Sequence, residues 1–113
     1  MIEVIIYRTK NHEYIGFDVE GHAGYGVSGD DIVCAAVSIL VINTINSIEG
    51  FTTDKTSLVH CNERGLINFR FEDKASHDAH LLVQSMICGL QNVEEEYKTD
   101  SLNPYIDITF KEV

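Results

Sequence analysis

Residues 77–97, HDAHLLVQSMICGLQNVEEEY, carry the pattern that decides the fold. Ala79, Leu82, Val83, Met86, Ile87, Leu90, Val93 and Tyr97 fall on one stripe at steps of three and four, which predicts an amphipathic helix. Ser76 stands where an N-cap is needed, and Asp78 in the first turn suits the positive end of the helix dipole. Just upstream, Ser57 to Cys61 and Leu66 to Phe71 read as a hairpin across the turn Asn62-Glu63-Arg64-Gly65. There Leu66, Asn68 and Arg70 alternate with Ile67, Phe69 and Phe71, so one face is apolar. Downstream, after Pro104, Tyr105 to Phe110 reads as a last short strand.

Toward the N-terminus, residues 2–8 (IEVIIYR) and 13–19 (EYIGFDV) form a second predicted hairpin, turned by Lys10-Asn11-His12. The segment 21–29 follows, GHAGYGVSG, with four glycines in nine residues, and reads as a mobile loop. Asp30 or Asp31 is the expected N-cap of a helix running to about Glu49 and stopped by Gly50 at C′. The first half of that helix is apolar all round, which predicts burial on more than one side, between layers or against a partner chain. Phe51 to Thr56 is a connection. The order strand, strand, helix, strand, strand, helix, strand predicts an α+β two-layer sandwich, a sheet of about five strands carrying two helices, in a single domain over 1–113.

Composition narrows the function. The 113 residues hold 18 acidic and 8 basic side chains, a net charge of -10 and a pI near 4.7, with 44% hydrophobic residues. Such a chain is ordered, and its charge opposes binding to a phosphate backbone. The start, MIEVIIYRTK, lacks the basic head and cleavage site of a secretory signal. The near-apolar run Ile32 to Ile42 spans 11 residues, short of the roughly 20 of a membrane helix. Cys34, Cys61 and Cys88 are an odd set spaced 27 residues apart, unlike a disulfide framework or zinc knuckle. These features predict a reducing, cytoplasmic setting, with no membrane, no direct nucleic acid contact and no cofactor.

Cys34 carries the chemistry of greatest interest. With Asp31 as N-cap it is the third helical residue, where unpaired N–H groups and the helix dipole favour an anion, while Asp30 and Asp31 oppose one. A positive neighbour resolves the conflict, and His22, at the far end of the glycine loop, is the natural one. Peptide hydrolysis by a cysteine needs that pairing: imidazole takes the thiol proton and later gives it to the leaving amine. Loop N–H groups are the expected oxyanion donors, because an Asp31 cap occupies the N–H of Cys34. By chemistry alone the more common reading is structural, with Cys34 a small buried hydrophobe and His22 a polar surface residue.

The stretch Gly21-His22-Ala23-Gly24-Tyr25-Gly26-Val27-Ser28-Gly29-Asp30-Asp31-Ile32-Val33-Cys34-Ala35-Ala36-Val37-Ser38 resembles the signature of the bacterial ribosomal-processing cysteine protease family, Prp, at both its GHA start and its GxDIVCAAVS end. The resemblance implies a catalytic pair, His22 and Cys34. It also implies removal of a short N-terminal extension from a large-subunit ribosomal protein, with cleavage after an aromatic residue and basic residues beyond, by a homodimer. The net charge suits a cationic tail. Around the pair, Gly21, Gly24, Gly26 and Gly29 supply loop freedom and Tyr25 is placed to close over a peptide. Asp31 caps the helix, and Ser38, one turn beyond Cys34, faces the site or donates to the Cys34 carbonyl. No third residue orienting His22 is marked by spacing.

Rival readings are weaker. Gly24 to Gly29 formally spells G-x-G-x-x-G, but two aspartates stand where a pyrophosphate would lie and an antiparallel hairpin follows. His77 and His80, with Glu72 or Asp73, suggest a metal site less readily than an exposed helix start. Cys61 and Cys88 are expected to pack. The competing function class is a non-catalytic ribosome-assembly or peptide-binding adaptor, in which Cys34 only packs.

Overall fold

A computed structural model of the chain describes residues 1–21, 30–61, 63–97 and 105–113, with the backbone alone for 30 and 31. The elements are β1 (Ile2–Arg8), β2 (Tyr14–Glu20), α1 (Asp30–Phe51), β3 (Thr56–Cys61), β4 (Leu66–Phe71), α2 (His77–Glu96) and β5 (Ile106–Glu112). Their order is the predicted one. They form one five-stranded sheet in the order β3-β4-β2-β1-β5. Every pairing is antiparallel except β1 with β5, which run parallel because the chain returns through α2.

Alternation along the strands sorts the two faces. Ile2, Val4 and Ile6 of β1, Phe17 and Val19 of β2, Phe69 and Phe71 of β4, and Ile106 of β5 are buried in one cluster with both helices. α1 contributes Val33, Val37, Val41, Ile45 and Ile48, and α2 contributes Ala79, Val83, Met86, Ile87 and Leu90. Phe17 stacks on Phe69 with centroids 4.8 Å apart, and Phe71 meets Phe69 edge-on at 5.2 Å. α2 packs on α1 at Gly89, where a Cβ would lie 2.7 Å from a methyl of Leu40. On the opposite face Tyr7 donates to Asp18 at 2.8 Å, and Arg70 donates to the same carboxylate at 2.7 Å while lying over the Tyr7 ring.

Several local expectations hold. Ser76 is the N-cap of α2 and accepts from the Ala79 N–H. The two hairpin turns use His12 and Gly65, both at positive φ.

Three expectations about α1 are corrected. The helix starts at Asp30, so Asp31 is a helical residue rather than the N-cap. It also continues through Gly50 to Phe51, and Thr52 closes it by donating both N–H and Oγ1 to the Ile48 carbonyl. Gly50 had the composition of a C′ residue but has no positive φ, so nothing stops the helix there. Within this chain burial lies on one side, and Ile32 and Ile39, 55% and 68% exposed, are on the face the expectation leaves for a partner chain. The apolar helical stretch is longer than the 11-residue run suggested: Ile32–Phe51 has 20 residues and a mean hydropathy of 1.8, long and apolar enough to span a membrane. Its inner stripe, Val33, Val37, Val41, Ile45 and Ile48, packs in the core.

Candidate active site

α1 lies across the helix-facing side of the sheet, and between it and the β3–β4 hairpin is a cavity of about 420 Å³. Among the described residues its floor is apolar, built from Ile2, Val19, Val37, Val41, Ile45 and Ile67. Its rim carries Cys34 and Ser38 from α1, and Leu58, His60 and Cys61 from β3. No Asp, Glu, Lys or Arg is among the described lining residues, in a chain with 26 such side chains, 18 acidic and 8 basic. A space of this size and polarity suits apolar side chains of a ligand.

Cys34 is a half-buried thiol packed against the core. Counted from Asp30, it is the fifth helical residue and not the third. Its own N–H therefore falls beyond the four that lack intrahelical partners, so the N–H groups of the preceding turn are the candidates for receiving an anion. Ser38, one turn further on, is exposed and borders the same cavity. Asp31 is placed by its backbone within the first turn.

The other end of the motif enters the cavity at Gly21. This residue has φ +106°, lines the cavity wall, and donates its N–H to the Arg64 carbonyl at 3.4 Å. A Cβ there would stand 2.4 Å from the Met1 carbonyl oxygen, so only glycine fits. The Arg64 side chain pairs with Glu20 at 2.6 Å, fixing the β3–β4 turn beside the end of β2. His22, Gly24, Tyr25, Gly26 and Gly29 lie outside the described residues. The chain is thus delivered to the cavity wall one residue before His22.

Other candidates resolve into structural roles. His80 stacks on Tyr14 with ring centroids 4.6 Å apart, and His77 lies 3.2 Å from Asp78 on the surface. Cys88, expected to pack, is exposed, because it falls off the stripe that Met86, Ile87 and Leu90 direct inward. Cys61 borders the cavity. The hairpin wall formed by Leu58, His60, Cys61, Leu66 and Ile67 had not been singled out as part of a site; the signal was TSLVHC, an exposed strand without a carboxylate, Lys or Arg.

The resolved pKa shifts lie away from the cavity. The hydrogen bond to Asp18 raises Tyr7, and Asp18 likewise raises Arg70. Burial pushes Asp54 up, but hydrogen bonds from Ser76 and Thr52 outweigh it and hold that carboxyl below its ordinary range.

Residues 1–101 match the family model described as cysteine protease Prp. The chain belongs to this family and is a cysteine protease. It is 35% identical over 97 residues to the ribosomal processing cysteine protease Prp of Staphylococcus aureus, covering 86% of this chain and 92% of that one. The Bacillus subtilis protein of the same name is 29% identical over 102 residues, covering 87% and 91%. A crystal structure of an essential ribosomal processing protease Prp from S. aureus, in complex with a covalently linked product peptide, superposes with a TM-score of 0.85 at 32% identity, covering 98% of this chain and all of that one. The five-stranded sheet with two helices is accordingly a Prp fold.

Proposed function

We propose that this Prp protease removes the N-terminal extension of a large-subunit ribosomal protein, with Cys34 as nucleophile and His22 as its base. The observation that carries the reading is the placement of Cys34 on the rim of an apolar cavity whose wall also holds Gly21, the residue before His22. An apolar cavity fits cleavage after an aromatic side chain, and the net charge of -10 draws a cationic ribosomal-protein tail toward it. The S. aureus relative holds its product peptide covalently, as a thiol nucleophile allows.

In this mechanism the His22 imidazole takes the Cys34 proton as Sγ attacks the scissile carbonyl carbon. The resulting oxyanion accepts hydrogen bonds from N–H groups of the first turn of α1 and the glycine-rich loop. Collapse breaks the C–N bond, the imidazolium protonates the leaving amine, and a thioester remains. Water, deprotonated by His22, attacks the thioester and releases the acid and the thiol. Gly24, Gly26 and Gly29 give the loop the freedom to close, with Tyr25 over the peptide, while Gly21 anchors its start and Ser38 borders the cavity beside the thiol. The reaction calls for no cofactor, and one domain in the cytoplasm carries it out.

The exposed stripe Ile32, Ala35 and Ile39 on α1 supports a homodimer, since two copies of charge -10 meet most readily across an uncharged surface. The decisive experiment is incubation with a synthetic peptide spanning the extension's cleavage site. Cys34→Ala is expected to bind the peptide and leave it intact, and Cys34→Ser to lose nearly all turnover. Cleavage by Cys34→Ala at the wild-type rate would overturn the assignment. The adaptor reading instead requires that the unsubstituted chain bind without cleaving.

A further inference from the structure

The sheet has two outer strands, β3 and β5, and they are unlike. β5 carries Asp107, Lys111 and Glu112, the kind of charge that keeps an edge from pairing with other chains. β3, Thr-Ser-Leu-Val-His-Cys, carries no carboxylate, Lys, Arg or Pro, and Leu58 and Val59 are 45% and 61% exposed.

The direction of its backbone groups follows from the register. The Glu72 N–H donates to the Lys55 carbonyl at 2.9 Å, and the pairing runs unbroken from Thr56 opposite Phe71 to Cys61 opposite Leu66. Hydrogen-bonded pairs alternate in an antiparallel ladder, so Ser57, Val59 and Cys61 exchange bonds with β4. Thr56, Leu58 and His60 therefore direct N–H and C=O away from β4, to the outer edge. Their side chains lie on the helix side, opposite Phe71, Phe69 and Ile67, and those of Leu58 and His60 line the cavity that holds Cys34.

We infer that the substrate peptide binds as a sixth strand on the outer edge of β3, bonding through its backbone to Thr56, Leu58 and His60 and inserting alternate side chains into the Cys34 cavity. This inference rests on the protease reading above and adds the mode of recognition. The bound segment is extended and uncharged, apolar at every second residue, because the described lining of the cavity holds no Asp, Glu, Lys or Arg. Basic residues of the substrate lie outside this segment.

The test uses the same synthetic peptide, with Cys34→Ala as the non-cleaving background and calorimetry as the readout. Leu58→Ala and Leu58→Pro both shorten the side chain, but only proline removes the outward N–H, and it leaves the β3–β4 ladder whole. Leu58→Pro is expected to bind about two- to tenfold more weakly than Leu58→Ala, the value of one hydrogen bond. Should Leu58→Pro not fold, N-methylation of successive peptide amides supplies the reading: affinity falls at alternate positions and is kept between them. Equal affinity of the two variants, or N-methyl effects without a period of two, overturns strand addition while cleavage by the unsubstituted chain keeps the protease reading. Loss of a dimer in Leu58→Pro with peptide affinity unchanged also overturns it, assigning the edge to a second copy. No cleavage by the unsubstituted chain overturns the protease reading itself.

Discussion

Gly21→Ala tests whether the motif's entry into the cavity is as constrained as the geometry indicates. An alanine must adopt φ +106°, which costs about 1–3 kcal/mol. Its Cβ would also sit 2.4 Å from the Met1 carbonyl oxygen, a backbone atom at the head of β1 that cannot swing aside like a side chain. Relief requires shifting the start of β1, where the Ile2 N–H donates to the Tyr105 carbonyl at 2.9 Å, a bond worth about 1 kcal/mol. Together these give a loss of about 2–4 kcal/mol, or a fall in Tm of about 8–16 °C at roughly 4 °C per kcal/mol for a chain of this length. Circular-dichroism melts measure it, and peptide cleavage well below the lowered Tm reports the displacement of the neighbouring His22. Gly50→Ala is the internal control. That glycine is helical and a Cβ meets nothing within 4 Å, so alanine there is expected to stabilise by about 0.5–1 kcal/mol. A Tm change below about 2 °C for Gly21→Ala, or destabilisation by Gly50→Ala, would refute the backbone reasoning.

Two further predictions concern the helix starts and faces. Asp54 accepts from the Ser76 N–H at 2.8 Å and from Ser76 Oγ at 2.5 Å, tying the α1–β3 connection to the cap of α2. Asp54→Ala is expected to lower stability by about 0.5–1.5 kcal/mol at neutral pH. Because the folded carboxyl is held below its ordinary range, that contribution is present above about pH 4 and lost as pH falls through the folded value. Melts at pH 7 and near pH 3 check it, and a gap between wild type and variant that does not narrow in acid would contradict it. On α1, the proposed dimer face predicts a dimer for the unsubstituted chain in sedimentation velocity and a folded monomer for Ile32→Glu with Ile39→Glu. An unchanged sedimentation coefficient places any dimer elsewhere.

The sequence revealed most where burial imposes a period. α2 was legible because eight apolar residues fall on one stripe, and β4 because Phe69 and Phe71 alternate with polar neighbours. The ends of α1 were not, since Asp31 and Gly50 have the composition of caps while the backbone treats both as interior. Which side of α1 packs in the core could not be read for another reason: its outward residues Ile32 and Ile39 are as apolar as its inward ones. At the site, Cys34 was marked by its place near a helix start and by a motif, but its cavity was not. The far wall of that cavity comes from Leu58, His60 and Ile67, which reach Cys34 only through the order β3-β4-β2 and carry no mark of chemistry themselves.

That wall changes the meaning of the chain's charge. Carboxylates outnumber cations by 18 to 8, yet none lines the cavity among the described residues. On the sheet face turned away from the helices, Glu3 stands in register with Glu20 on one side and Asp107 on the other, a row of three acids of which Glu20 is paired with Arg64. Attraction and recognition are therefore carried by different surfaces. Long-range attraction of a cationic tail weakens with ionic strength, whereas apolar contact in the cavity and backbone bonds along β3 do not. Raising the salt should slow capture of a basic substrate and leave the turnover of bound peptide nearly unchanged. A protease whose acidic groups had been drawn into the cavity would lose both together.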